Sequence, residues 1–215
     1  MILVIGGTGR TGRLIVAGLL ADGQSARVLS RRSAPGLIPG ADIVSGDVTQ
    51  PDDVAHAFEG VTGAVIVVES AMDDSGPNSP DEVHRRGAEH VIAAAREGGA
   101  RIVLVSQIYI TRAHEHPEIA GIIRARAAAE QALRESGLPY AIVRPSWLTA
   151  AGGGAGVRLE QGDRGDGEIS RADVAEACVA ALRHSSAVGK TFELYNDPAA
   201  PRPDWEAAFA ALAPD

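Results

Sequence analysis

Apolar residues in this chain fall into short consecutive runs, separated by longer stretches in which they recur every three or four positions. The runs occupy residues 2–5, 27–30, 42–45, 64–68, 101–106, 140–144 and 191–195. Several are apolar at successive positions, as in Ile2-Leu3-Val4-Ile5, the pattern of parallel strands covered on both faces. The intervening Ala-rich stretches predict helices at about 10–22, 51–59, 80–97, 120–136, 170–184 and 203–212. Their ends carry matching signals. Ser79-Pro80-Asp81-Glu82 and Ser170-Arg171-Ala172-Asp173 read as N-terminal caps, and Gly98-Gly99 and Gly137 read as C-terminal stops. Alternating strands and helices with short connections predict a doubly wound parallel sheet, three-layer α/β/α, in a single domain spanning 1–215. Between about 146 and 168 lies a substrate-loop region. Seven of its residues from 152 to 167 are glycine, so a flexible, lid-like loop is expected before the terminal helix.

The first strand runs directly into Gly6-Gly7-Thr8-Gly9-Arg10-Thr11-Gly12, which opens the first helix. A glycine at 6 permits the tight turn, one at 9 lets backbone approach a pyrophosphate, and one at 12 allows close helix packing. Unpaired N–H groups at the helix start would face the anion, so Gly6, Thr8, Gly9, Arg10, Thr11 and Gly12 are assigned to a dinucleotide. In this context the sheet is Rossmann-type. The second strand ends in Arg31-Arg32 with no acid nearby, which favours a 2′-phosphate and hence NADP(H). Asp47 and Val48, after the third strand, are placed near the adenine.

Composition narrows the partners. The 215 residues are 45% hydrophobic and 22% charged, with a net charge of −8, which argues against nucleic acid or an anionic membrane. No apolar run approaches membrane-spanning length and the first residues lack a leader pattern, so a cytoplasmic protein, monomer or homodimer, acting on a small-molecule substrate is expected. Cys178 is the only cysteine and Lys190 the only lysine.

These residues resemble the NmrA-like, NAD(P)H-binding branch of the atypical short-chain dehydrogenase/reductase superfamily. The resemblance runs from Met1 to about Asn196. It rests on Gly6–Gly12, Arg31, Gly46-Asp47-Val48, Ala128 through Tyr140, Ile142-Val143-Arg144-Pro145, Ile169 through Ala175 and Gly189 through Leu194. It implies this fold and this cofactor. Many members use Tyr-x-x-x-Lys, but the matching positions here are Ile122 and Arg126. Isoleucine transfers no proton, and arginine stays protonated near neutrality. Arg126 could still bond the nicotinamide ribose or supply charge.

Two routes then stay open: a proton from solvent, or one from the loop after the fifth strand, where Ser106, Gln107, Tyr109, His114 and His116 lie. Ser106, Tyr109, Arg126 and His116 are the catalytic candidates. By resemblance Ser106 and Gln107 sit beside the nicotinamide and the loop at Pro145 contacts it; Glu69, Gln107, Tyr109 and Trp147 are read as lining the substrate. His114 and His116 share ligand-like spacing, but no third ligand accompanies them and no metal is expected. The leading reading is an NADPH-dependent oxidoreductase passing hydride to an enone, quinone, flavin or carbonyl. A non-catalytic NADP(H)-sensing regulator and an epimerase-like enzyme without net redox are the alternatives.

Overall fold

The computed structural model describes residues 1–32 and 38–215. Eight strands form one sheet in the order β3-β2-β1-β4-β5-β6-β10-β8. They are β1 (Ile2–Ile5), β2 (Ala26–Ser30), β3 (Asp42–Ser45), β4 (Gly63–Ile66), β5 (Arg101–Val105), β6 (Tyr140–Pro145), β8 (Val157–Glu160) and β10 (Lys190–Asn196). Every neighbouring pair is parallel except β10 with β8. Two short strands, β7 (Trp147–Thr149) and β9 (Glu168–Ser170), pair separately.

The successive apolar residues divide between the two faces. Val4, Val28, Val103 and Val143 join Ile15, Val16 and Leu19 of α1 (Arg10–Ala21), Val174 and Cys178 of α5 (Arg171–Arg183), and Phe209 of α6 (Trp205–Ala210). Leu3, Ile5, Leu29 and Ile142 join Val54 of α2 (Pro51–Ala57), Val91 and Ile92 of α3 (Gly87–Gly98), and Leu133 of α4 (Ala120–Arg134). This is the three-layer arrangement. Burial pushes the Cys178 thiol up to about 12, so it packs as an apolar group. Among the described residues no helix is long and apolar enough to cross a membrane.

Three local features depart from the periodicity. The helix expected from residue 80 begins as a π-helical turn over Asp81–Arg86 before α3. Ser79 caps it weakly through Glu82 N–H at 3.4 Å. The Gly-rich stretch is not an open loop, because it contains β8, which pairs antiparallel with β10 and closes the sheet edge. Asp163, in the same stretch, is 1% exposed. Its carboxylate accepts from the Tyr109 N–H and the Thr111 N–H, both at 2.7 Å, and from the Thr111 hydroxyl at 2.9 Å. Tyr109 takes φ 71°, a backbone conformation that a bulky residue keeps only when its surroundings impose it.

Replacing Asp163 by alanine removes all three bonds and releases that conformation. We expect a stability loss of about 3 kcal/mol in chemical denaturation, with Asp163→Asn losing less.

Candidate functional site

The carboxyl ends of β1, β4, β5 and β6 open onto a cleft at the switch point between β1 and β4, where doubly wound sheets place ligands. The cleft has two lobes that share Val67, Val68 and Glu69.

The first lobe, about 230 Å³, is bounded by the glycine turn, Arg31 and the stretch Gly46-Asp47-Val48. Gly6 has φ 89°, and a Cβ there would lie 2.3 Å from the Val67 carbonyl oxygen. A Cβ on Gly12 would lie 2.2 Å from the Gly6 oxygen, so the helix packs directly on the turn. Gly9 differs. It is the N-cap of α1 with no side-chain cap, and the nearest atom to an added Cβ, Gly6 O, is 3.2 Å away. Internal packing therefore demands less of residue 9 than of residues 6 and 12, and the helix start is left open to an anion. Gly12→Ala is expected to cost about 3 kcal/mol of stability in a thermal melt. Gly9→Ala should melt close to the parent while binding NADPH roughly tenfold more weakly by titration.

Arg31 lines this lobe, and its Nη1 donates to Asn78 Oδ1 at 2.6 Å. Arg32 lies on the exposed surface outside it, with its N–H bonded to the Ser30 hydroxyl. Asp47 is held by its own turn: its carboxylate accepts from Thr49, and its N–H donates to Asp53. Arg10 is exposed and lines neither lobe, yet its charge acts on Arg171.

The second lobe, about 290 Å³, brings Thr11, Glu69, Ser106, Gln107, Tyr109, Arg126, Pro145 and Trp147 together. Its walls are largely apolar. Trp147 keeps 47% of its surface exposed on the rim, and its ring centroid is 6.0 Å from that of Tyr109. Arg126, only 9% exposed, ties two strand ends together: Nη1 donates to the Ser106 carbonyl at 3.0 Å and Nη2 to Glu69 Oε2 at 2.9 Å. Burial, with the Asp166 carboxylate alongside, raises the Tyr109 phenol pKa, so it keeps its proton through the neutral range. Burial also acts to raise Asp166. The Gly167 N–H, Tyr109 and Trp147 outweigh it and hold that carboxyl below the usual range.

His116 does not line either lobe. Its ring stands behind Tyr109 and Trp147, at centroid distances of 4.2 and 5.4 Å, and Nδ1 lies 3.1 Å from Glu118. His114 is exposed. Among the described residues no group of three or more His, Cys, Asp or Glu side chains is placed to hold a metal.

Several contributors carried no role in the sequence reading. Ile108, Ile119 and Leu148 complete the apolar wall, and Arg171 reaches the second lobe from the start of α5. Its Nη1 donates to the Thr149 carbonyl at 2.8 Å, and burial, aided by Arg10, lowers its pKa. The 169–175 motif was its only signal. Asn78, in a loop of Asp, Ser, Gly and Pro, had none.

Comparison with known proteins bears on the family and the fold. A Streptomyces griseus (4-alkanoyl-5-oxo-2,5-dihydrofuran-3-yl)methyl phosphate reductase is 32% identical over 89% of this chain, which spans 66% of that relative's length. Sanguinarine reductase of Eschscholzia californica is 29% identical over 92% of this chain and 89% of its own. A solved Bacillus halodurans protein, named as an NAD-dependent epimerase/dehydratase, superposes with a TM-score of 0.85 at 24% identity, covering 96% of this chain and 97% of its own; it attests the fold. The model of a family described as NAD(P)H-binding matches residues 6–185. With most of its length matched in this way, the chain belongs to that NAD(P)H-binding family of Rossmann-fold, atypical short-chain dehydrogenase/reductase-like proteins.

Proposed function

We propose that this protein is an NADPH-dependent reductase of a small, mainly apolar organic acceptor. The observation that carries the reading is the continuity of the cleft: the glycine turn and Arg31 bound one lobe, and it passes over Val67–Glu69 into an apolar lobe with few polar groups. Reductase names among the relatives support it.

The residues fit the cofactor. The open start of α1, from Gly9 to Gly12, would bind its pyrophosphate, with Arg10 and Thr11 beside it. Arg31 would bind the 2′-phosphate, since one of its five N–H donors is engaged by Asn78 and the others can fork onto an anion. Asp47 and Val48 would border the adenine, and Ser106, Arg126 and Pro145 the nicotinamide side. When bound, the dihydronicotinamide supplies a hydride.

Tyr109, Trp147, Gln107 and Glu69 orient the acceptor and exclude water from one side of it. Ser106 donates a hydrogen bond where charge develops on the reduced acceptor, and the net proton comes from solvent through the open rim beside Trp147.

The missing Tyr-x-x-x-Lys pair favours a second reading, a nucleotide-sensing regulator without turnover. Purified protein given NADPH and a panel of quinones, flavins, enones and carbonyls separates the two. Sustained NADPH oxidation with at least one acceptor is expected. Tight NADPH binding with no turnover across the panel would replace the reductase with the regulator.

A further inference from the structure

Behind the second lobe lies a small, partly enclosed space that the reduction described above leaves without a role. It is bounded by the π-helical turn, the ends of β4 and β5, and α4, and lined by Ile66, Val68, His84, Leu104, Ser106 and Arg126 among others. Its volume is about 10 Å³, at the lower limit of the space one water needs.

Three buried polar atoms on residues that line it have no protein partner: His84 Nε2, Ser106 Oγ and Arg126 Nε. Their residues are 6%, 1% and 9% exposed. An unpaired polar atom in such surroundings is costly, and a buried water typically makes about three hydrogen bonds to groups of this kind. The π-helical turn matters here, because it presents His84 to Arg126 and Ser106.

We propose that this cavity holds one ordered water bonded to Arg126, His84 and Ser106, and that His84 thereby acts as a positioning residue for the Ser106 hydroxyl. The donor count sets the direction of every bond. Arg126 Nε–H can only donate, so the water accepts from it. Burial, reinforced by the Arg126 charge, pushes the His84 imidazole down to about 3, so it is neutral. Among the described residues, the ionised group that acts on it is that guanidinium from α4. A neutral ring beside a cation turns its unprotonated nitrogen toward the shared water, leaving the N–H on Nδ1. The water then donates one hydrogen to His84 Nε2 and the other to Ser106 Oγ. With its oxygen so engaged, Ser106 has its own O–H left to point into the second lobe, toward a bound acceptor or carboxamide.

The kinetic part of this inference rests on the reductase reading, whereas the water and the tautomer do not. A high-resolution crystal structure should show a water within about 3.2 Å of all three atoms. Nitrogen NMR of the His84 ring should show Nε2 unprotonated and no titration between about pH 5 and 8. A dry cavity, a protonated Nε2 or titration in that range overturns the proposal, whatever the activity. With the fastest acceptor of the panel, His84→Leu should lower kcat about tenfold in the parent but less than about twofold in a Ser106→Ala background. His84→Gln, which restores an acceptor, should recover part of the loss, and melting temperatures of all variants report folding. Additive effects of His84→Leu and Ser106→Ala would overturn the positioning role. Failure of every acceptor would count against the reductase alone, and the crystal and NMR results would still decide the water site.

Discussion

Replacing Arg31 with alanine is expected to raise the Kd for NADPH roughly tenfold to a hundredfold while changing that for NADH by less than about threefold. A charge-assisted bond contributes about 1.5–3 kcal/mol, and each 1.4 kcal/mol is a factor of ten. The asymmetry arises because only NADPH carries the 2′-phosphate. Arg31 is singled out over Arg32 by position: it lines the first lobe and is braced by Asn78, whereas Arg32 projects from the exposed surface. Arg32→Ala should therefore matter less, and its effect should fade as salt screens it. Asn78→Ala should give an intermediate loss, since the guanidinium survives without its brace. Calorimetric titration of both nucleotides measures all of this. Equal weakening of NADPH and NADH by Arg31→Ala would remove the 2′-phosphate assignment.

The largest stability effect is expected from Arg144→Ala. Arg144 lies in β6 between two fully buried carboxylates. It donates to Glu130 from Nε at 3.0 Å and Nη2 at 2.6 Å, and to Glu193 from Nη1 at 3.0 Å. Glu130 would retain Arg134, at 2.9 Å, but Glu193 would lose the one side-chain cation paired with it among the described residues. Stranding a buried charge costs about 3–5 kcal/mol, which for a chain of this size lowers Tm by roughly 10 °C.

The deficit also has a sign in pH. Burial already raises the Glu193 pKa above that of the unfolded chain, so the native state binds a proton that the unfolded state releases. Stability from this group is present at low pH and lost as pH rises from the ordinary carboxylate range through the raised value. Removing Arg144 raises that value further, so the variant should be less impaired at about pH 5 than at pH 8. Glu193→Gln in the same chain should restore part of the loss. A pH-independent deficit would show that Glu193 is not what the substitution strands.

The parallel strands were legible because burial on both faces makes their apolar residues consecutive, and the first helix because its stripe follows a local glycine turn. The predicted run 64–68 was too long for a related reason. Val67 and Val68 are as apolar as a strand, but they form the floor shared by the two lobes. Strand β8 escaped notice because it is a four-residue edge strand among glycines, and its partner lies more than thirty residues away. The π-helical turn left no trace, since six residues are too few for its wider spacing to depart visibly from 3.6.

In the site, Gly6–Gly12 and Arg31 could be read from neighbouring residues. Arg171, Asn78, Asp163 and His84 could not, because each acquires its place only when distant segments meet. Residue order suggests Trp147 as a wall and Tyr109 as a substrate-lining and catalytic candidate, and both line the second lobe. Their edge-on contacts with His116 placed that histidine behind the wall, a geometry that residue order alone does not encode.

The carboxylate of Asp163 joins the loop after β5 to the stretch that follows β8 through three bonds, before any ligand arrives. A cleft whose wall is set during folding loses little loop entropy when it is filled. It is also slow to adjust. Rigid planar molecules that suit the wall formed by Tyr109 and Trp147 gain from this, while flexible ones that need the wall to yield do not. Under the proposed function, selectivity is thus a matter of ligand stiffness as much as of ligand polarity, and it rests on the carboxylate of a residue 54 positions away from Tyr109.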